Sequence, residues 1–170
     1  LFGYVGRLVK WKNVDELLIN FASFIKHMKQ PIYLLIVGTG GSKYIEELRD
    51  LSVSLKINDK VVFAGFNSYP NRIIASLDLL ISSSASEPFG RTIIEAMIQK
   101  TAVLASNSGG HIETIVPNQT GYLYEPGSKD DFIVQCNYFF ENSLQKNNIV
   151  ENAYNIACSE YSSIEHSNKI

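Results

Sequence analysis

Short apolar runs alternate along the chain with stretches whose apolar residues recur every three or four positions. A first run ends at Gly6. Val14, Leu17, Leu18, Phe21, Phe24, Ile25 and Met28 then keep the 3.6-residue period of an amphipathic helix. Asn13, with Glu16 three residues later, reads as an N-cap with a capping-box start. Tyr33 to Val37 is a second strand, and Gly38-Thr39-Gly40-Gly41 turns it into a helix carrying Ile45, Leu48, Leu51 and Leu55. Val61 to Ala64 is a third strand, followed by a short helix around Asn71 to Ser76 and a fourth strand at Leu79 to Ser82. A polar loop, a helix from Arg91 to about Gln99, a fifth strand at Ala102 to Ser106 and a sixth at Gly121 to Tyr124 complete the pattern. The remainder is predicted helical, weakening after Leu144 into a polar end. Alternation of this kind predicts an α/β fold: a Rossmann-like open parallel sheet of about six strands flanked by helices. The second to fifth strands are near-continuously apolar, as strands buried on both faces are.

Composition narrows the function classes. A chain of 170 residues makes one domain, residues 1–170, burying roughly 70% of its unfolded surface. It is 45% hydrophobic and 19% charged, and a net charge of −2 argues against a nucleic-acid partner. The longest apolar run, Ile32 to Val37, is far short of the roughly 20 residues that span a bilayer. No basic-then-apolar leader signals secretion. Cys136 and Cys158 form no Cys-x-x-Cys pair, and Cys136 shares helical spacing with Phe132, Ile133, Phe139 and Phe140, so a reduced, cytoplasmic compartment is expected. His27, His111 and His166 are too scattered for a metal site, and no metal or other cofactor is expected. The chain opens inside a strand-like run, Leu1-Phe2-Gly3-Tyr4-Val5, which reads as a cut at a domain boundary.

In open parallel sheets a ligand crevice lies beyond the carboxyl ends of the strands. Gly6 and Arg7, Gly38, Gly65 and Phe66, Glu87, and Gly109-Gly110 all fall there. The densest segment is Ser86-Glu87-Pro88-Phe89-Gly90-Arg91-Thr92-Ile93-Ile94-Glu95-Ala96. A helix starting near Arg91 with glycine at its mouth offers free N–H groups to phosphate. Ile93, Ile94, Met97 and Ile98 span an arc of roughly 140°, and Glu95 lies about 60° beyond it, free to face the crevice. Glu87 and Glu95 suit a sugar or ribose diol, since a carboxylate accepts two hydroxyls, but also fit an N-cap acid and a solvated helix acid. Arg7 and Lys12 could neutralise a leaving diphosphate without a metal, or could be solvated charges, as Lys10 and Lys12 around Trp11 suggest. Gly38-Thr39-Gly40 is a poor dinucleotide fingerprint, because the third glycine would fall on Lys43. A tight turn, with or without close approach to a ligand, suits it better. Gly109-Gly110 is a bare turn or an anion nest, and His111 a loop residue.

Taken in order, Gly6-Arg7-Leu8 with Lys12, Ile36-Val37-Gly38-x-Gly40, Val62-Phe63-x-Gly65-Phe66, Glu87-Pro88-Phe89-Gly90 through Glu95-Ala96, Gly109-Gly110-x-x-Glu113 and Gly121-Tyr122-Leu123 resemble the C-terminal domain of family 4 glycosyltransferases of the GT-B fold. The resemblance covers about Leu1 to Asp131, and the Glu87-x7-Glu95 spacing is its most telling part. It implies binding of a nucleotide-diphosphate sugar and transfer of the sugar with retention, without a required metal. Arg7 and Lys12 would hold the diphosphate, with Glu87 near the reacting centre, as the catalytic group. Gly6, Gly38, Phe66, Phe89, Gly90, Arg91, Thr92 and Glu95 would form the donor site. Within it the backbone around Phe66 would meet the base, the Gly90 to Thr92 amides the phosphates, and Glu95 the ribose. Front-face substitution is the implied route, and a covalent Glu87 intermediate the other. Asn13 stands where such proteins usually carry glycine, a change its N-cap role would make harmless. The acceptor-binding N-terminal domain would be missing, and with it any membrane contact, at the inner face. A nucleotide-sugar epimerase or hydrolase, or a non-catalytic nucleotide-binding module, remains a rival on the same fold.

Overall fold

A computed structural model of the chain describes residues 1–141 and 143–166, so positions 167–170 of the predicted polar end lie outside the described residues. Six strands form one sheet: β1 (Phe2–Val5), β2 (Leu34–Val37), β3 (Val61–Gly65), β4 (Leu79–Ser82), β5 (Ala102–Ser106) and β6 (Tyr122–Tyr124). Their order is β3-β2-β1-β4-β5-β6, and every neighbouring pair is parallel. Around it pack α1 (Val14–Ile25), α2 (Ser42–Ser54), α3 (Pro70–Ile74), α4 (Arg91–Ile98), α5 (Gly110–Thr114), α6 (Lys129–Glu141) and α7 (Ser143–His166). This is the Rossmann-like open sheet that the sequence predicts.

The two-residue period of the strands sorts their side chains between two cores. Leu34, Ile36, Leu79, Ile81, Ala102, Leu104, Tyr122 and Tyr124 point into the first, with α1, α2 and α6. Leu80, Val103 and Ala105 point into the second, with α3, α4 and part of α7. Phe2 anchors the first core, stacked on Phe24 and Phe140 at ring separations of 5.8 and 5.9 Å. Full burial of such a side chain contributes about 1.5–3 kcal/mol.

Four expectations need correction. β3 is an edge strand, not buried on both faces, and Val62 is 54% exposed. Its apolar composition reflects strand propensity more than burial. Asn13 does not cap α1 with its side chain: it sits in the left-handed region at φ 49, closing a 3₁₀ turn at Lys10–Lys12. Its amide reaches the Glu16 carboxylate at 3.2 Å instead. The helix also stops at Ile25, and Met28 lies in the following turn, packed on the same core. Finally, the chain after Leu144 does not weaken. α7 runs for 24 residues, with Ile149 in one core and Ala153 and Ala157 in the other, and it packs along α4. Its small residues allow close approach while giving little apolar signal.

β1 feeds β2 on one side and lies beside β4 on the other, so the strand order reverses between β1 and β4. That reversal is the topological switch point, where such sheets bind ligands.

Candidate functional site

The segments that leave β1 and β2 stay paired beyond the strands. Gly6 N–H donates to the Val37 carbonyl at 2.9 Å, Leu8 N–H to Thr39 at 2.8 Å, and Gly38 N–H to Gly65 at 2.8 Å. This closeness accounts for Gly38: a Cβ there would lie 1.8 Å from the Gly6 carbonyl oxygen, and its φ is +142. The close approach at Gly38 is therefore to the protein's own backbone. Tyr4, buried in the first core, props the next turn by donating its hydroxyl to the Arg7 carbonyl at 2.9 Å. Burial, with Tyr44 and Glu87 nearby, pushes that hydroxyl far above its ordinary value. Arg7 itself is exposed.

Lys12 and Glu87 meet across the switch point. The Lys12 ammonium donates to the Glu87 carboxylate, with side-chain exposures of only 17% and 13%. The ammonium also sits 4.3 Å from the centre of the Trp11 ring. Burial would raise the Glu87 carboxyl, but the hydrogen bond and the charge of Lys12 outweigh it and hold Glu87 below the usual carboxylate range. Two more bonds tie the loops together: Ser83 Oγ donates to the Lys12 carbonyl at 2.8 Å, and Ala85 N–H to Trp11 at 3.0 Å. Lys12 is thus no solvated charge. Lys10 fits that description better, pairing with Glu47 at 2.7 Å on the surface.

The loop that carries Glu87 rests on Gly109-Gly110. Gly110 N–H donates to the Glu87 carbonyl at 2.6 Å, and Thr114 Oγ1 to the Phe89 carbonyl at 3.2 Å. A Cβ on Gly109 would stand 2.5 Å from the Glu87 carbonyl oxygen, and one on Gly110 2.8 Å from the Phe89 backbone. The paired glycines form a seat for the acidic loop and are more than a bare turn. Gly90, at φ 75, then opens α4, and no side chain caps that end. Its first-turn amides at Arg91 and Thr92 sit at the positive end of the helix. Glu95 does lie off the buried stripe of Ile93, Ile94, Ala96 and Met97, but its carboxylate is taken by Arg91 Nε at 3.0 Å.

His111 corrects the loop reading most sharply. It lies in α5, wholly buried. Nδ1 is 2.9 Å from the Ser106 carbonyl, and Nε2 is 2.9 Å from Ser82 Oγ. Ser106 Oγ and Ser108 Oγ both donate to the Ser84 carbonyl, at 2.6 and 2.7 Å. Burial holds the imidazole below its ordinary value. The only signal in the sequence was the run of serines at both strand ends.

Phe66, 75% exposed, and Tyr69, 64% exposed, follow β3 two strands away from β1. Phe89 is 45% exposed, with one edge against Tyr161 of α7 at 6.1 Å. Cys136 is a buried thiol and Cys158 an exposed one, unpaired. Among the described residues no three His, Cys, Asp or Glu side chains group together, and no helix is long and apolar enough to cross a membrane.

Comparison with known proteins meets this geometry from outside. The chain is 31% identical over 129 residues to an uncharacterized glycosyltransferase of Methanocaldococcus jannaschii, covering 75% of this chain and 32% of that protein. It is 30% identical over 127 residues to the capsular polysaccharide biosynthesis glycosyltransferase CapM of Staphylococcus aureus, covering 75% and 33%. The chain thus spans about a third of the length of these curated relatives. Among solved structures, Anabaena HepE in complex with UDP-glucose superposes with a TM-score of 0.89 at 29% identity, over 98% of this chain and 46% of that one. The C-terminal domain of a glycosyl transferase group 1 family protein from Francisella tularensis gives 0.82 at 26% identity, over 94% and 85%. The family model of glycosyl transferases group 1 matches residues 1–156, and the chain belongs to that family.

Proposed function

We propose that this chain binds a nucleotide-diphosphate sugar at the β1/β4 switch point, as the donor-binding part of a retaining glycosyltransferase. The observation that carries the reading is the meeting of Lys12 and Glu87 there, beside an uncapped helix end and the exposed Arg7. HepE, which shares this fold over nearly the whole chain, was solved with UDP-glucose. In this reading Arg7, Lys12 and the α4 amides hold the diphosphate, and as the glycosidic bond breaks they stabilise the departing charge. The two side-chain cations make a metal unnecessary. Glu87 faces the sugar and supports the positive charge of an oxocarbenium-like state, while Glu95 accepts from the ribose diol and the exposed Phe66 segment meets the base. The acceptor is held by parts of a longer protein, which works in the cytoplasm and makes any contact with the inner membrane face outside these residues.

A thermal-shift panel of nucleoside diphosphates and their sugar conjugates tests this. A ligand at a hundred times its dissociation constant adds about 2.7 kcal/mol of stability. Glu95→Gln should weaken diphosphate and conjugate alike, and Glu87→Gln the conjugate only, with EDTA changing neither. No stabilisation by any member of the panel refutes donor binding, and equal loss of plain diphosphate in both variants refutes the division between the acids.

A further inference from the structure

Beneath the site lies His111, a buried titratable side chain that the proposed function does not use. Burial keeps the ring neutral, and its bonds then choose the tautomer. The Ser106 carbonyl can only accept, so Nδ1 carries the proton and donates to it at 2.9 Å; Ser106 Oγ, 3.1 Å from the same nitrogen, gives its own proton to the Ser84 carbonyl. Nε2 then holds the lone pair and accepts from Ser82 Oγ at 2.9 Å. Ser82 ends β4 and Ser106 ends β5, so one neutral imidazole bridges the two strand ends on either side of the acidic loop.

The same residue anchors the seat on which that loop rests. His111 follows Gly110, whose N–H holds the Glu87 carbonyl, and one turn later Thr114 holds the Phe89 carbonyl. A Cβ built on Gly90 would come within 3.6 Å of the His111 ring, so the ring also underlies the start of α4. The loop therefore leaves from a strand end that His111 grips and lands on a helix that His111 pins.

We propose that His111, as a neutral Nδ1–H imidazole, is a positioning residue that sets where the Glu87 loop stands over the cleft. Its functional consequence rests on the reading that Glu87 faces the donor sugar. Two variants test it in the 170-residue chain: His111→Asn, and Ser82→Ala, which leaves the imidazole in place and removes only the bond to Nε2. Both should weaken UDP-glucose about ten-fold and leave UDP within about two-fold. In nitrogen-15 spectra at pH 7 the parent should show a protonated Nδ1 and a bare Nε2. Amide signals of Glu87, Phe89, Gly90 and Gly110 should move in both variants, while those of Leu35 and Val62 stay. An Nε2–H or doubly protonated ring, or signals displaced across the whole sheet with both ligands lost equally, overturns the proposal. If Glu87→Gln does not separate the two ligands, the sugar role of Glu87 has failed. The tautomer and the loop signals still decide the positioning role.

Discussion

Gly38→Ala separates a glycine kept for the fold from one kept for a ligand. Two costs come from the structure. A φ of +142 is a conformation that side-chain-bearing residues rarely adopt, costing about 1–3 kcal/mol. The new Cβ would also lie 1.8 Å from the Gly6 carbonyl oxygen, so the backbones must part by about 1 Å or more. That movement strains the bonds from Gly6 to Val37 and from Leu8 to Thr39, each contributing about 1 kcal/mol. The total is roughly 3–5 kcal/mol, or a fall in Tm of roughly 6–20 °C for a chain of this size. Gly41→Ala is the matched control: its φ is −63 and a Cβ there meets nothing within 4 Å. It should cost less than about 1 kcal/mol. Thermal melts followed by circular dichroism, with UDP titrations on the same samples, provide the measurement. A Gly38→Ala protein that melts with the parent yet no longer binds UDP refutes the backbone argument and returns Gly38 to the ligand.

The other predictions test local readings. Asn13→Gly should be tolerated and Asn13→Ser should cost about 1 kcal/mol, because position 13 needs the left-handed region; an N-cap would accept serine, and equal melts for the two variants contradict the left-handed argument. Lys12→Met should destabilise the chain by about 1–3 kcal/mol by leaving Glu87 partly buried without its partner, and adding Glu87→Gln should restore much of the loss. Strict additivity in that double-mutant cycle means the pair is not coupled. Stability should begin to fall as the pH drops below about 6.5, because unfolded chains take up the proton that buried His111, facing Lys12 and Glu87, resists. His111→Asn should remove this stage. The Lys12–Glu87 contribution should persist to about pH 4.3 and fade below it, as Glu87 protonates at its lowered value, a stage that Glu87→Gln should abolish.

Much of the architecture was legible because parallel sheets write themselves as continuous apolar runs. Leu34–Val37, Leu79–Ser82 and Ala102–Ser106 match their predicted spans to within a residue. The failures have physical causes. β3 carries the same residue types as its buried neighbours, and only the strand order reveals that it is an edge. α7 buries Ala153 and Ala157, whose small size makes a tight contact with α4 and a faint periodic signal. Asn13 suits both an N-cap and a left-handed turn, and the sign that favoured the turn was the glycine usual at this place in the family it resembles. His111 looked like a loop residue because its partners, Ser82 and Ser106, come from two strands whose adjacency is a property of the fold.

The candidate site shows the same divide at the level of charge. The sequence sorts Arg7 and Lys12 together as cations for a diphosphate, and Glu87 and Glu95 together as acids for hydroxyls. Space sorts them differently. Lys12 is paired with Glu87 from 75 positions away, Arg91 holds Glu95 within one turn, and Arg7 stands exposed at the crevice. Under the proposed function Lys12 therefore has two claimants, and a diphosphate gains less from it than from an unpaired lysine, since the Glu87 bond must first loosen. What the arrangement provides in return is order before the donor binds: Lys12 keeps Glu87 ionised and placed, and Gly110 goes on holding the Glu87 backbone once Lys12 turns to the diphosphate. A carboxylate held in place before the sugar arrives needs no reorganisation when positive charge develops beside it, and that is the condition under which such a group lowers a barrier.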